Sequence, residues 1–201
     1  CVGVTGTNGK TASVYMLEKV FNAAKRNAGV MGTIDHHFGS HTWDSPLTTP
    51  DPVTLRSRLR DFVNLGAKTA AVEVSSIALD QDRASSIPFD AVLYTNFTRD
   101  HLDYHGSMQK YFEAKEKLFS EILPKSTKRS VYGVLNGDDV EVRKVASTSR
   151  LVWFGRNLCD YQFQVKEQTV RGSRFILRDR ELWCATPGIH NIYNAAGVAA
   201  V

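Results

Sequence analysis

The sequence predicts an α/β fold: a mostly parallel, doubly wound P-loop-type sheet flanked by helices, with a small antiparallel β appendage near the C-terminus. Three observations predict it. Short apolar runs bounded by turn residues alternate with segments of helical spacing, the pattern of strands buried on both faces and crossed over by helices. A glycine-rich loop ending in Lys10-Thr11 lies between the first apolar run and the first helical one. After Gly155 the helical segments stop and short alternating runs replace them.

Taken in order, Cys1–Thr5, Gly29–Ile34, Thr69–Ser75, Ala91–Thr95, Ser130–Leu135 and Leu151–Phe154 read as buried strands. Lys10–Arg26, Pro52–Leu65, Ser107–Ile122 and Asp138–Ser147 carry helical spacing, with Val14, Leu17, Val20 and Phe21 as one apolar face of the first. Tyr161–Val165, Arg174–Leu177 and Glu181–Ala185 alternate without helices between them, and Asn194–Val201 is again helix-like. The expected organisation is a parallel core over 1–155, an antiparallel appendage over 156–187 and the start of a truncated helix over 188–201. The opening strand pattern without Met and the uncapped close predict a piece of a longer polypeptide.

Composition bounds the rest. The 201 residues are 42% hydrophobic and 23% charged, which excludes a disordered chain. The net charge of +4 comes from 25 basic and 21 acidic residues that are interspersed, so no nucleic-acid footprint is expected. No apolar run approaches the ~20 residues of a membrane span. Cys1, Cys159 and Cys184 form no C-x-x-C pair, and a cytoplasmic, reducing setting is expected.

The strongest local signal is Gly6-Thr7-Asn8-Gly9-Lys10-Thr11 between strand and helix. Its glycines let backbone N–H groups close around phosphate oxygens at a helix N-terminus. Lys10 would neutralise the outer phosphates and the Thr11 hydroxyl would ligate Mg²⁺. The general G-x-x-x-x-G-K-[ST] pattern has Gly where this chain has Val4. Glu73, inside an apolar strand, is either a metal ligand or a buried carboxylate bonded to backbone amides. His101 and His105 follow the strand Ala91–Thr95, where doubly wound sheets bind ligands. They lack the intervening Glu of a zinc-protease helix. His101 is either one metal ligand or a loop-packing residue.

Six stretches together carry a family resemblance: Gly6–Thr11, Thr48-Thr-Pro-Asp-Pro52, Glu73-Val-Ser-Ser76, Asn96 through His105, Tyr111-Phe-Glu-Ala-Lys115 and His190-Asn-Ile-Tyr-Asn194. The chain resembles the central ATP-binding domain of the Mur ligases, most closely the MurE (UDP-N-acetylmuramoyl-tripeptide synthetase) type. The resemblance implies ATP on Gly6, Thr7, Asn8, Gly9, Lys10 and Thr11, with His190, Asn191 and Asn194 on the adenine side. It implies two Mg²⁺ ions held by Thr11, Glu73, His101 and Lys115, with Lys115 carbamylated. Lys10, Glu73, His101 and Lys115 would then be the catalytic set. Thr48, Thr49, Ser75, Gln81 and Arg83 match positions that hold the UDP-muramyl dipeptide; Arg83 suits an anion as a planar bidentate donor.

Two departures stand out. Ile77-Ala78-Leu79 follows Glu-Val-Ser-Ser where the family has His-Gly-Leu, and Ala12-Ser13 replaces a Thr run. The implied reaction is ATP-dependent amide formation through an acyl phosphate. Flanking domains of the same polypeptide would bind the UDP group and the incoming amino acid, diaminopimelate or lysine. The rival readings are a folylpolyglutamate- or cyanophycin-type ligase, and a nucleotide-binding module without turnover, which is what the isolated fragment is expected to be.

Overall fold

The computed structural model describes residues 1–201 and contains one sheet of eleven strands in the order β11-β10-β9-β8-β7-β6-β1-β5-β2-β3-β4. β1 (Val2–Thr5) lies between β5 (Thr69–Glu73) and β6 (Ala91–Tyr94), parallel to both. β2 (Ala28–Met31), β7 (Tyr132–Asn136) and β8 (Arg150–Gly155) extend the parallel arrangement on either side. The strand order reverses at β1, which opens a crevice at the C-terminal ends of β1, β5 and β6.

Alternation along the strands fills two cores. Val72, Val92 and Tyr94 face one side and join Phe62 of α2 (Pro52–Asn64) and Tyr111 of α5 (Met108–Lys117). Val2, Val4, Ala71 and Leu93 face the other, with Val14 and Leu17 of α1 (Lys10–Ala23) and Ile192 of α6 (Ile189–Ala200). Local chemistry sets the helix starts. The Asp51 carboxylate accepts from Val53 and Thr54 N–H ahead of Pro52, and Ser107 accepts from Lys110 N–H (3.2 Å). Two short helices, α3 (Ser76–Asp80) and α4 (Leu102–His105), stand over the crevice.

The α/β class holds, and several elements differ in detail. Asp138–Ser147 forms only a 3₁₀ turn at Val142–Lys144, because the Asp139 carboxylate takes the N–H groups of Phe97, Glu141 and Val142 and fixes a loop there. Val20 is half exposed, so the buried stripe of α1 rests on Val14 and Leu17. The helix from Ser107 ends as α at Lys117 and continues as a π-helical turn, Leu118–Ile122. β2 stops at Met31, and a hairpin that hydropathy does not show follows it: β3 (His36–Phe38) and β4 (His41–Trp43), joined through Gly39 at φ 59°. The three antiparallel strands β9 (Tyr161–Thr169), β10 (Gly172–Leu177) and β11 (Arg180–Cys184) are present. They continue the main sheet, since β9 runs parallel to β8 at Phe154–Tyr161 and Gly155–Gln162. No helix is long and apolar enough to cross a membrane.

His36 on β3 is buried with neither ring nitrogen hydrogen-bonded to protein. Burial, with the Arg58 charge second, holds its imidazole below the ordinary 6.5. Above that pH the ring is neutral in both states. On acidification the unfolded chain takes the proton first, so stability falls from about pH 6.5 down to the depressed folded value. His36→Leu should flatten this part of the stability–pH curve in urea titrations; an unchanged slope would refute the assignment.

Candidate active site

Where β1 ends, the chain turns through Gly6–Gly9 into α1, and Gly9 precedes the helix at φ 86°. A Cβ on Gly6 would lie 1.9 Å from Thr95 Oγ1, so only glycine allows this approach to the end of β6. The loop is fixed from the neighbouring strand. Asn8 N–H donates to Asn96 Oδ1 (3.0 Å), Asn96 Nδ2 donates back to the Asn8 carbonyl (2.9 Å), and Thr98 N–H donates to Thr7 Oγ1 (2.9 Å). The Thr7 hydroxyl also shares a 3.1 Å hydrogen bond with Tyr111.

Two ammonium groups converge on this loop. Lys10 Nζ donates to the carbonyls of Gly6 (3.0 Å) and Thr7 (2.9 Å), and Lys115 Nζ donates to the same Gly6 carbonyl (2.9 Å). Lys115 is 1% exposed and packs 4.8 Å from the Tyr111 ring centre. Burial first, and the Lys10 charge second, push the Lys115 amine well below its ordinary value; Asp100 opposes this. Burial also lowers Lys10, with Glu73 and Asp100 opposing.

Facing the lysines, Glu73 is fully buried at the end of β5. Its carboxylate accepts from Thr33 N–H (2.9 Å) and Thr33 Oγ1 (3.2 Å). Both readings of this residue therefore share one geometry: an amide-bonded carboxylate that also lines the cavity. Thr49 Oγ1 donates to the Glu73 carbonyl (2.8 Å) and accepts from Ser75 N–H (3.0 Å), which stitches the Thr48–Thr49 loop to β5. Arg83 Nη1 donates to the Thr49 carbonyl (3.0 Å) and Nε to Gln81 Oε1 (2.9 Å).

A cavity of about 360 Å³ joins these groups. It is lined by Thr7, Asn8, Gly9, Lys10, Thr11, Thr48, Thr49, Glu73, Ser75, Arg83, His101 and Lys115, all named from sequence, and by Thr33, Leu47, Ser76 and Ile77. His101 enters it from a left-handed backbone (φ 51°) just before α4, with its Nε2 3.6 Å from Asp100. Gln81 touches the cavity only through Arg83. Of the residues expected on the adenine side, Asn194 reaches the loop, since a Cβ on Gly9 would meet its Oδ1 at 2.4 Å. Asn191 instead spends its amide on the Pro187 carbonyl (2.8 Å), and His190 stays exposed.

The donor set suits a hard cation only in part. Thr11 and Glu73 offer oxygen and His101 nitrogen, yet no three His, Cys, Asp or Glu side chains converge as a ready metal cage. Mg²⁺ takes one or two protein oxygens and completes its shell with phosphate and water, so the residues fit Mg²⁺ carried with a polyphosphate. Sequence reasoning gave no role to Thr33, Asn96, Tyr111 or Asp138. Burial pushes the Asp138 carboxyl up, but hydrogen bonds from Arg156 N–H, Tyr193 and Asn157 outweigh it and hold it below the usual range. Its position after β7, at the same rim as the other loops, was the available signal.

Fold and site define a doubly wound P-loop-type domain with cavity-lining loops at its switch point. The family model for the Mur ligase middle domain matches residues 4–201. A Parabacteroides distasonis protein named UDP-N-acetylmuramoyl-L-alanyl-D-glutamate--2,6-diaminopimelate ligase is 35% identical over 98% of this chain and 40% of its own length. A Geobacter metallireducens protein of the same name is 46% identical over 73% of this chain and 29% of its own. Among solved structures, a ligase of that name superposes with a TM-score of 0.82 at 27% identity, covering 99% of this chain and 41% of its own. A folylpolyglutamate synthase from Mycobacterium tuberculosis, with a TM-score of 0.72 at 16% identity, covers 99% of this chain and 53% of its own; it shares the fold. This chain belongs to the Mur ligase family, as its middle domain. It spans less than half the length of the curated relatives it matches.

Gly9→Ala should cost about 1–2 kcal/mol from the left-handed backbone alone, and more because the new Cβ must displace Asn194. Urea unfolding measures it; a neutral result would mean the loop can relax.

Proposed function

We propose that this chain is the ATP-binding centre of a ligase of peptidoglycan precursor synthesis. In this reading it phosphorylates the carboxylate of UDP-N-acetylmuramoyl-L-alanyl-D-glutamate. The observation that carries the reading is the convergence of Lys10 and Lys115 on the Gly6 carbonyl, inside one cavity with Glu73 and Arg83. The Lys10 charge lowers the Lys115 pKa, and a polyanion between the two side chains would favour both in their charged forms. The relatives' shared name supplies the acceptor and the first amine to test, 2,6-diaminopimelate, with lysine as the second.

In the first step a carboxylate oxygen of the acceptor attacks the γ-phosphorus of ATP, the bond to the β–γ bridging oxygen breaks, and ADP leaves. In the second, the amine attacks the acyl phosphate carbon, inorganic phosphate leaves, and the amine's proton passes to solvent. Lys10 and the N–H groups of the Gly6–Thr11 loop hold the polyphosphate. Arg83, aimed by Gln81 and the Thr49 carbonyl, holds an anionic group of the acceptor. The cavity walls bring the reactants together, which is most of what phosphoryl transfer requires. Thr11, Glu73 and His101 would hold Mg²⁺, which supplies charge neutralisation on the phosphates. Burial lowers the Lys115 pKa and so favours the neutral amine, the form that adds CO₂; that step releases one proton and would turn Lys115 into a carbamate able to serve as a metal ligand. The 1–155 core, the 156–187 appendage and the helix begun at 188 form one catalytic domain. Neighbouring parts of the same polypeptide bind the UDP group and the amine. The setting is the cytoplasm, and neither nucleic acid nor membrane is a partner.

The test is the full-length polypeptide with ATP, Mg²⁺, UDP-muramyl dipeptide and diaminopimelate, following ADP and amide product. Lys10→Ala should lower kcat/KM for ATP by at least 100-fold, and an unchanged value would end the assignment. Protein equilibrated with ¹³C-labelled CO₂ should show a carbamate carbon resonance that is lost in Lys115→Arg; a resonance that persists would exclude Lys115 as its carrier.

A further inference from the structure

The short helix α4 has no part in the mechanism above, yet it grips the acceptor-side wall of the cavity at two points. The Tyr104 hydroxyl donates to Asp80 Oδ2 (3.0 Å) and accepts from Gln81 Nε2 (3.1 Å). One residue on, His105 Nε2 shares a 3.0 Å hydrogen bond with Ser76 Oγ, buried from water. Ser76 opens α3 and Asp80 closes it, so the two side chains fasten that helix at both ends. Their rings meet edge to face, with centres 4.8 Å apart, and His105 also packs against Tyr111 at 5.2 Å.

The grip reaches the cavity through Gln81. Its amide nitrogen is held by Tyr104, and its amide oxygen accepts from Arg83 Nε (2.9 Å). Both ends of the amide are therefore committed, and the orientation of the Arg83 guanidinium depends on Tyr104, two bonds away. At the other end of α3, His105 holds Ser76 beside Ser75, and both serines line the cavity. Neither Tyr104 nor His105 lines it. Because α4 follows directly on His101, one short helix ties the nucleotide-side loop to the acceptor-side wall.

We infer that Tyr104 and His105 are positioning residues that set Arg83 and the Ser75–Ser76 turn for the anionic acceptor, leaving nucleotide binding to the loop. The inference rests on the ligase reading and goes beyond it by assigning acceptor recognition to residues outside the cavity. Their loss should weaken the acceptor and spare ATP.

In the full-length polypeptide, Tyr104→Phe removes both hydroxyl hydrogen bonds and keeps the ring. It should raise KM for UDP-muramyl dipeptide about five- to tenfold, with kcat and KM for ATP within twofold. Its melting temperature should stay near that of the parent, because Tyr104 is 41% exposed. His105→Leu should raise the same KM and also lower the melting temperature, while His105→Gln, whose amide can reach Ser76 Oγ, should recover part of the KM. Ser76→Ala combined with His105→Leu should add nothing to KM beyond either alone. An acceptor KM unmoved by Tyr104→Phe, or an ATP KM that rises equally, would overturn the inference while wild-type turnover leaves the ligase reading intact. Absence of wild-type turnover on UDP-muramyl dipeptide would overturn the ligase reading, and this inference with it.

Discussion

A single backbone carbonyl, that of Gly6, accepts hydrogen bonds from two lysine side chains, one of them sealed from water. Like charges in a poorly hydrated place repel, and the hydrogen bonds compensate only part of that cost. The rest of the site is arranged around this tension. Glu73 and Asp100 oppose the loss of charge on Lys10 and Asp100 does so on Lys115, Tyr111 presents its ring face to Lys115, and Thr7 ties the ring to the loop. An anion placed between the two lysines would relieve the repulsion, which is the physical basis of the proposed polyphosphate site.

The frame itself follows from strand order. Because β1 has parallel neighbours on both sides, the loops after β1, β5 and β6 leave the sheet together and bring Lys10, Glu73 and His101 to one cavity. The two apolar cores keep that edge straight. Neither core supplies a ligand; both supply rigidity, since α1 and α5 carry their lysines from well-packed faces.

Much of this could be read in the sequence, and the limit is physical. The phosphate loop is legible because its chemistry is local: glycines, a lysine and a helix start fall within a few consecutive residues. The parallel strands are legible because they are buried on both faces. The β3–β4 hairpin was missed because three histidines interrupt the apolar pattern, and because only Gly39 marks its turn. The helix expected over Asp138–Ser147 shrinks to a 3₁₀ turn where the Asp139 carboxylate, besides taking the local N–H groups of Glu141 and Val142, is held by Phe97 N–H from the loop after β6. Lys115 reads from its own helix as one more solvated cation, and the family resemblance alone marked it. The contact that makes it unusual, with Gly6, spans 109 residues of chain. The roles of Asn96, Tyr111 and Thr33 are hidden for the same reason: their partners Asn8, Thr7 and Glu73 are distant in the chain.

That long-range construction bears on the order of events as the chain folds. Gly6 and Lys115 are separated by 109 residues of chain, and Asn194 approaches Gly9 from α6, so both contacts close long loops. Loop-closure entropy opposes contacts of such separation until local structure has shortened the effective distance. The loop's sequence is local, a few consecutive residues between β1 and α1, yet its geometry rests on partners far along the chain. The shape of that loop is therefore a property of the whole domain, set by the loop after β6, by α5 and by α6 as much as by its own glycines.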